Sequence, residues 1–365
     1  MSKEIKAIYI HIPFCEHLCD YCDFAKLQYF SFFACRYIDE LKKELDSYHI
    51  LGKIETIYVG GGTPTSLDDD LFYRLLEIIK PYTKSVLEYT FEANPESLSI
   101  SKLKMMKEFG VNRISLGVET TSDEILASIN RHHTFNDAVK AIDNAKSIGF
   151  DNINVDLILG LPGSDIKQVE IDINNILTLG VQHVSCYSLT VHPHTVFYNK
   201  GINEPLDDEC RKYYDLVHGV LLEHGYRHYE ISNWCLDGYE SRHNLTYWFN
   251  NRYYGIGLGA SGYIDNRRYT NTKSISEYLK GHYINEVEEV DINSEKEYQI
   301  MLNLRTRYGL DLNEFKNRFN IDLLKEKSDE LHELITGGYL YIDRNRLIPT
   351  YEGMMILDQI LLKIF

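Results

Sequence analysis

Along the first 190 positions, apolar and polar residues follow two alternating patterns. Short β-rich runs read as largely buried strands: AIYIHI (7–12), TIYVG (56–60), VLEYTFEA (86–93), NRISLGVE (112–119), INVDLIL (153–159) and HVSCYSL (183–189). Between them, apolar residues recur at three- and four-residue intervals in YIDELKKELDSY, DLFYRLLEIIK, SKLKMMKEFG, TFNDAVKAIDNAKSIG and IKQVEIDINNILTLG. That interval gathers them into one stripe on a helix. Strand–helix alternation of this kind predicts a parallel sheet with right-handed crossovers. Six such units predict an α/β fold, a partial (βα)6 barrel of the TIM type, with chemistry at the C-terminal ends of its strands.

The pattern loosens beyond residue 200. Residues 200–290 are rich in Tyr, Asn and Gly and show no sustained period. Residues 292–365 then read as three helices, a hairpin (YLYIDRNRLIPT) and a last helix (YEGMMILDQILLKIF), a winged-helix-like arrangement. The expected division is a barrel over 1–235, an irregular connecting segment over 236–291 and a small helical C-terminal domain over 292–365.

A chain of 365 residues is too long for one ordinary core, which agrees with a barrel plus a smaller domain. The net charge is −16, with the acids spread along the chain, so no basic stripe is available for phosphates and nucleic acid is excluded as a partner. No apolar run reaches the roughly 18 residues of a membrane span, and no apolar leader precedes the first strand. Residence in the cytoplasm is the default expectation. There the seven cysteines should be thiols or metal ligands. Cys35, Cys186, Cys210 and Cys235 stand singly and read as buried free thiols.

Cys15, Cys19 and Cys22 form a C-x3-C-x2-C cluster directly after the first strand. Zinc usually takes paired knuckles, and no second pair is present, although a zinc-stabilised adaptor stays open as a reading. Three thiolates also suit a 4Fe–4S cluster with one iron left for a chelating ligand, a position S-adenosylmethionine (SAM) can take through its amino and carboxylate groups. Candidate ligand contacts follow at the strand ends. Gly60-Gly61-Gly62-Thr63-Pro64 closes the second strand, and Glu92 and Glu119 end the third and fourth. Arg131 follows in NRHH, and Asp156 lies in the fifth strand. Taken singly, these also read as a tight turn and a rim of salt bridges.

C-x3-C-x2-C after strand one of a β/α barrel resembles the radical-SAM family. The resemblance implies that Tyr21 faces the adenine and that Tyr9, Gly61, Gly62, Thr63, Glu92, Glu119, Arg131 and Asp156 surround SAM. Glu119 stands where relatives usually carry Gln. YIHIPFC, GGGTP, GVNRISLGVE, INVDLILGLPG, HVSCYSLT, YEISNW and SRHNLTYW extend the likeness over nearly the whole chain, to the oxygen-independent coproporphyrinogen III oxidase-like family. Its oxidases carry a fourth cysteine two residues after the third, where this chain has Phe24, and a longer N-terminal extension. Its heme-chaperone branch carries H-N-x-x-Y-W, matched by His243, Asn244, Tyr247 and Trp248. By that resemblance His243 is the axial heme ligand, Tyr247 and Trp248 offer flat faces, and Arg242 meets a propionate. The chain is thus expected to carry heme rather than to act as a dehydrogenase, with oxidative decarboxylation in heme synthesis as the alternative. The implied partners are heme and heme-accepting proteins, including membrane-bound respiratory enzymes reached from the membrane periphery, with a homodimer left open.

Overall fold

The computed structural model describes residues 4–50 and 52–365. All six expected strands are present: β1 (Ala7–Ile12), β2 (Thr56–Gly61), β3 (Glu88–Ala93), β4 (Arg113–Glu119), β5 (Ile153–Leu159) and β6 (His183–Ser188). Each pairs in parallel with the next. Parallel strands buried on both faces need apolar residues on the outer face as well, and β1 supplies Ile8, Ile10 and Ile12, all at most 1% exposed. The connecting helices cover that outer face. One of them, Phe135–Ile148, shows how their ends are set: Thr134 and Asp137 form a capping box, and Gly149 closes the helix at φ 95°.

The stretch 200–290 is more ordered than its composition suggests. It holds the helix Asp207–Glu223, strands β7 (Arg227–Glu230), β8 (Asn233–Cys235) and β9 (Tyr254–Ile256), and a three-stranded antiparallel sheet over Ser261–Ile264, Arg267–Asn271 and Ile284–Glu289. Most of these strands are only three to five residues long, too short for a period to emerge. They complete a nine-stranded sheet in the order β9-β1-β2-β3-β4-β5-β6-β8-β7. β9 joins β1 in parallel, whereas β8 runs antiparallel to β6. Residues 236–253 therefore lead from one flank of the open barrel to the opposite edge.

A second core forms around Leu304, Phe315, Leu331, Leu347 and Ile360 near the C-terminus. Its hairpin, Leu340–Asp343 with Arg346–Pro349, pairs as expected. Arg211 grips Glu352 through two hydrogen bonds of 2.9 and 2.7 Å, and Arg252 and Arg318 converge on Glu295, joining this core to the barrel. Among the single cysteines, Cys186 and Cys235 are buried and Cys210 is half-buried. Cys35 corrects the expectation: it lies exposed on the outer side of the helix Ser31–Ser47.

Candidate functional site

The cysteine loop leaves the C-terminal end of β1. Phe14 and Cys15 pair with Leu27 and Gln28, which closes the loop at its base. The Lys26 ammonium reaches inside it, donating to the carbonyl of Cys19 (3.1 Å) and to that of Cys22. Burial pushes the Cys15 thiol up to about 12, and the Thr63 hydroxyl, 3.7 Å from its sulfur, offsets only part of that. Burial also raises Cys22, opposed by Lys26. Arg131 places Nη1 3.5 Å from the Cys19 sulfur. Hydrogen-bond donors and cations aimed at sulfur favour thiolates and suit them to an iron–sulfur cluster. Among the described residues, no three His, Cys, Asp or Glu side chains converge on a single-ion centre.

His11, four residues before Cys15, ties this loop to the barrel. Its Nε2 lies 2.7 Å from the Ala25 carbonyl, its Nδ1 3.0 Å from the Tyr9 hydroxyl, and its own carbonyl accepts from Tyr37 (2.6 Å). Burial lowers its pKa to about 4, so the ring is neutral. The glycine turn fits tightly against the same groups. A Cβ on Gly61, which sits at φ +113°, would stand 2.5 Å from the His11 ring, and one on Gly62 would stand 3.0 Å from the Cys15 sulfur. The backbone can approach a ligand this closely only without side chains.

Inside the barrel mouth, Glu92 accepts from the Tyr58 hydroxyl (2.8 Å) and the Gly61 amide (2.9 Å), while burial pushes its pKa up to about 7. Asp156 accepts from Ser115 (3.0 Å) and Asn154 (2.9 Å), and burial raises it too. Arg131 pairs with Glu119 at 3.0 Å. Glu119 sits at φ 68°; burial raises its pKa, with Arg131 opposing. Tyr21 is hydrogen-bonded to Glu119, and its ring meets Phe197 with centroids 6.3 Å apart. Tyr9 stacks on Tyr58 with centroids 6.1 Å apart. Asn94 links the two halves, donating to Thr63 (3.2 Å) and accepting from Arg131 (3.1 Å). Its only sequence signal was its place in FEANP, after Glu92. The loop, the glycine turn and the carboxylates thus gather at one end of the strands.

The H-N-x-x-Y-W segment lies at the other end. It forms the helix Arg242–Trp248, capped by Ser241. Glu88 accepts the backbone N–H groups of Arg242 (2.8 Å) and His243 (2.9 Å). Glu88 and Thr56 are the first residues of β3 and β2, so this helix closes the barrel floor, and the cysteine loop stands about 17 Å away at the far ends of the strands. His243 is fully buried, with Nδ1 3.0 Å from the Thr56 hydroxyl and Nε2 2.7 Å from the Tyr247 hydroxyl. Burial lowers its pKa to about 3, so the ring is neutral, but neither nitrogen is free to meet iron in this arrangement. The two aromatic rings are half-buried. Tyr247 meets His243 and Tyr253 edge-on, and Arg305 lies over Trp248. Asn244 gives its backbone N–H to Ser241 (3.3 Å).

Residues 9–176 match the radical SAM superfamily profile, and residues 297–356 match the HemN C-terminal domain profile. A protein of Lactococcus lactis subsp. lactis (strain IL1403), heme chaperone HemW, is 40% identical over 97% of this chain and 95% of its own. The heme chaperone HemW of Bacillus subtilis (strain 168) is 38% identical over 98% of each chain. That of Escherichia coli (strain K12) is 32% identical over 81% of each. Among solved structures, the radical SAM coproporphyrinogen III oxidase HemN of Escherichia coli superposes with a TM-score of 0.86 at 19% identity, over 99% of this chain and 90% of that one, which shows the shared fold. Among the described residues, no helix is long and apolar enough to cross a membrane.

Proposed function

Since the chain belongs to the HemW heme-chaperone family, we propose that it takes up heme and passes it to acceptor proteins, on a scaffold that also holds a 4Fe–4S cluster and SAM. One observation carries this reading: the likeness to two heme chaperones, at 40% and 38% identity, runs the length of both chains in each comparison. Phe24 supports it, since its exposed ring offers no thiolate where the oxidases carry a fourth cysteine. In this reading Cys15, Cys19 and Cys22 hold the cluster. Tyr9, Tyr21, Gly61, Gly62, Thr63, Glu92, Glu119, Arg131 and Asp156 surround SAM. When bound, the two groups supply one-electron chemistry at the open iron.

The side chains have distinct tasks there. Thr63 and Arg131 steady the sulfurs of Cys15 and Cys19. Glu92, hydrogen-bonded yet buried, is placed to accept an ammonium group. Glu119 holds Arg131 in place by an ion pair that a neutral Gln would replace with a hydrogen bond. His243 faces iron only if the floor helix unseats and both of its hydrogen bonds break. Acceptors on membrane-bound respiratory enzymes, contact with the membrane periphery and a homodimer belong to the same proposal.

The test is a heme titration of anaerobically reconstituted protein, run beside a turnover assay with coproporphyrinogen III and SAM. Saturable heme uptake, transfer to an apo-acceptor and no porphyrinogen product are expected. Formation of protoporphyrinogen would move the chain to the oxidase reading. Cys19→Ser should remove the visible cluster absorbance and the acid-labile sulfide; full iron and sulfide retention would refute the ligand set.

A further inference from the structure

A row of polar side chains crosses the barrel interior from floor to mouth. The register of β4, β5 and β6 sets Ser115, Asn154 and His183 side by side. Asp156 stands two residues beyond Asn154 on the same face of β5, toward the mouth. The hydrogen bonds of this row run in one direction. The Asp156 carboxylate only accepts, so Ser115 donates to it at 3.0 Å and the Asn154 amide nitrogen at 2.9 Å. That leaves the Asn154 carbonyl oxygen to accept, from the Ser185 hydroxyl (3.1 Å) and from His183 Nδ1 (2.6 Å). Burial keeps the His183 ring neutral, so with its proton on Nδ1 the other nitrogen, Nε2, accepts from the Tyr229 hydroxyl (2.9 Å). The Tyr229 oxygen in turn accepts from the Ser241 backbone N–H (3.3 Å), and Ser241 caps the floor helix.

Ser115, Asn154, His183, Tyr229 and Ser241 are each at most 3% exposed, whereas Asp156 is half-buried. In a dry interior, hydrogen bonds in series polarise one another, and a link left unmade is costly. A change at the open end is therefore felt at the closed one. Resting on the heme-chaperone reading, we infer that this chain couples the barrel mouth to the floor helix, with His183 as the positioning residue between them. Donor groups of SAM that reach Asp156 compete with Ser115 and Asn154 for its oxygens. The amide and the imidazole behind it then relax, and Tyr229 holds the start of the floor helix less firmly. That helix must unseat before His243 can face iron, so SAM at the mouth favours heme at the floor, and heme favours SAM by the same factor.

The inference is tested with cluster-loaded, full-length protein whose cluster is kept oxidised, so that SAM stays intact. Heme is titrated with and without saturating SAM. SAM should tighten heme binding about five-fold or more, and heme should tighten SAM binding equally. Tyr229→Phe and His183→Leu each interrupt the chain, so in each variant the two heme dissociation constants should agree within about two-fold. Cluster absorbance and a cooperative thermal melt show that a variant is folded. A merely structural role would lower the melting temperature and leave the ratio of the two constants as in the parent. Equal heme affinity with and without SAM in the parent would overturn the inference, and so would a ratio that survives in both variants. If the parent takes up no heme at all, the chaperone reading itself fails and the coupling fails with it.

Discussion

The Glu92 carboxylate accepts two hydrogen bonds, from Tyr58 and Gly61, and burial still holds its pKa at about 7. Near neutrality it is therefore shared between its acid and carboxylate forms. An ammonium ligand favours the ionised form, so SAM affinity should rise as pH goes from about 6 to about 8. Glu92→Gln should lower that affinity and flatten its pH dependence, read by calorimetry at several pH values; a parent profile as flat as the variant's would remove Glu92 from the site. At this scale, much of the barrel mouth was legible. Cysteine spacing, the glycine triplet and carboxylates at strand ends are linear signals. His11, Tyr58 and Asn94 were not legible, because their roles depend on which residues face each other across neighbouring strands. His243 shows the opposite limit: its motif is visible in the sequence, but the two hydrogen bonds that occupy its ring come from Thr56, far away in the chain, and from Tyr247 one helical turn on.

At the scale of elements, the floor helix depends on Glu88 as much as on its own cap. One carboxylate serves the N–H groups of Arg242 and His243, two of the donors that a helix start leaves unpaired. Glu88→Ala should destabilise the protein by about 2–3 kcal/mol, measured by chemical denaturation, since two buried donors lose their acceptor. Cluster content should not change, because the cysteine loop lies at the other end of the strands. A denaturation midpoint equal to the parent's would show that the floor helix does not need this anchor. The long strands and amphipathic helices were readable from periodicity. β7, β8 and β9 were not, because three- and four-residue strands are placed by their neighbours in the sheet rather than by their own pattern.

For the whole molecule, buried acids and buried histidines pull the response to pH in opposite directions: burial lowers His11 to about 4 and His228 and His243 to about 3, so each opposes folding below its ordinary value of 6.5. Burial holds Glu44, Glu92 and Glu230 each at about 7, above the unfolded value of 4.5. Raised carboxyl groups favour the folded state while protonated, so their contribution is complete below about pH 4.5 and is lost as pH rises toward 7, on the order of 3 kcal/mol for each. Asp137, Asp322 and Glu352 are lowered by their hydrogen-bond partners and act in the opposite sense, losing their contribution as pH falls below the unfolded carboxylate range. Because the raised acids and the buried histidines offset each other between pH 4.5 and 6.5, the test is a difference: Glu44→Gln removes one acid's contribution, so the melting temperature of the variant relative to the parent should rise as pH goes from 5 to 7.5. A difference between variant and parent that stays constant over that range would contradict this. The partition into barrel and C-terminal core was readable from the change in pattern near residue 292, whereas the Arg211–Glu352 and Arg252–Glu295 joins between them were not.

The path of residues 236–253 has a mechanical consequence. This strap leaves the sheet at β8 on one flank and re-enters it at β9 on the opposite edge, so its contour length limits how far the two margins can part. A few residues inserted there would let the barrel gape at its seam. Access for a bulky planar guest would then widen while every side chain lining the two sites stayed the same, so the aperture can be tuned from a stretch of chain that holds no cysteine.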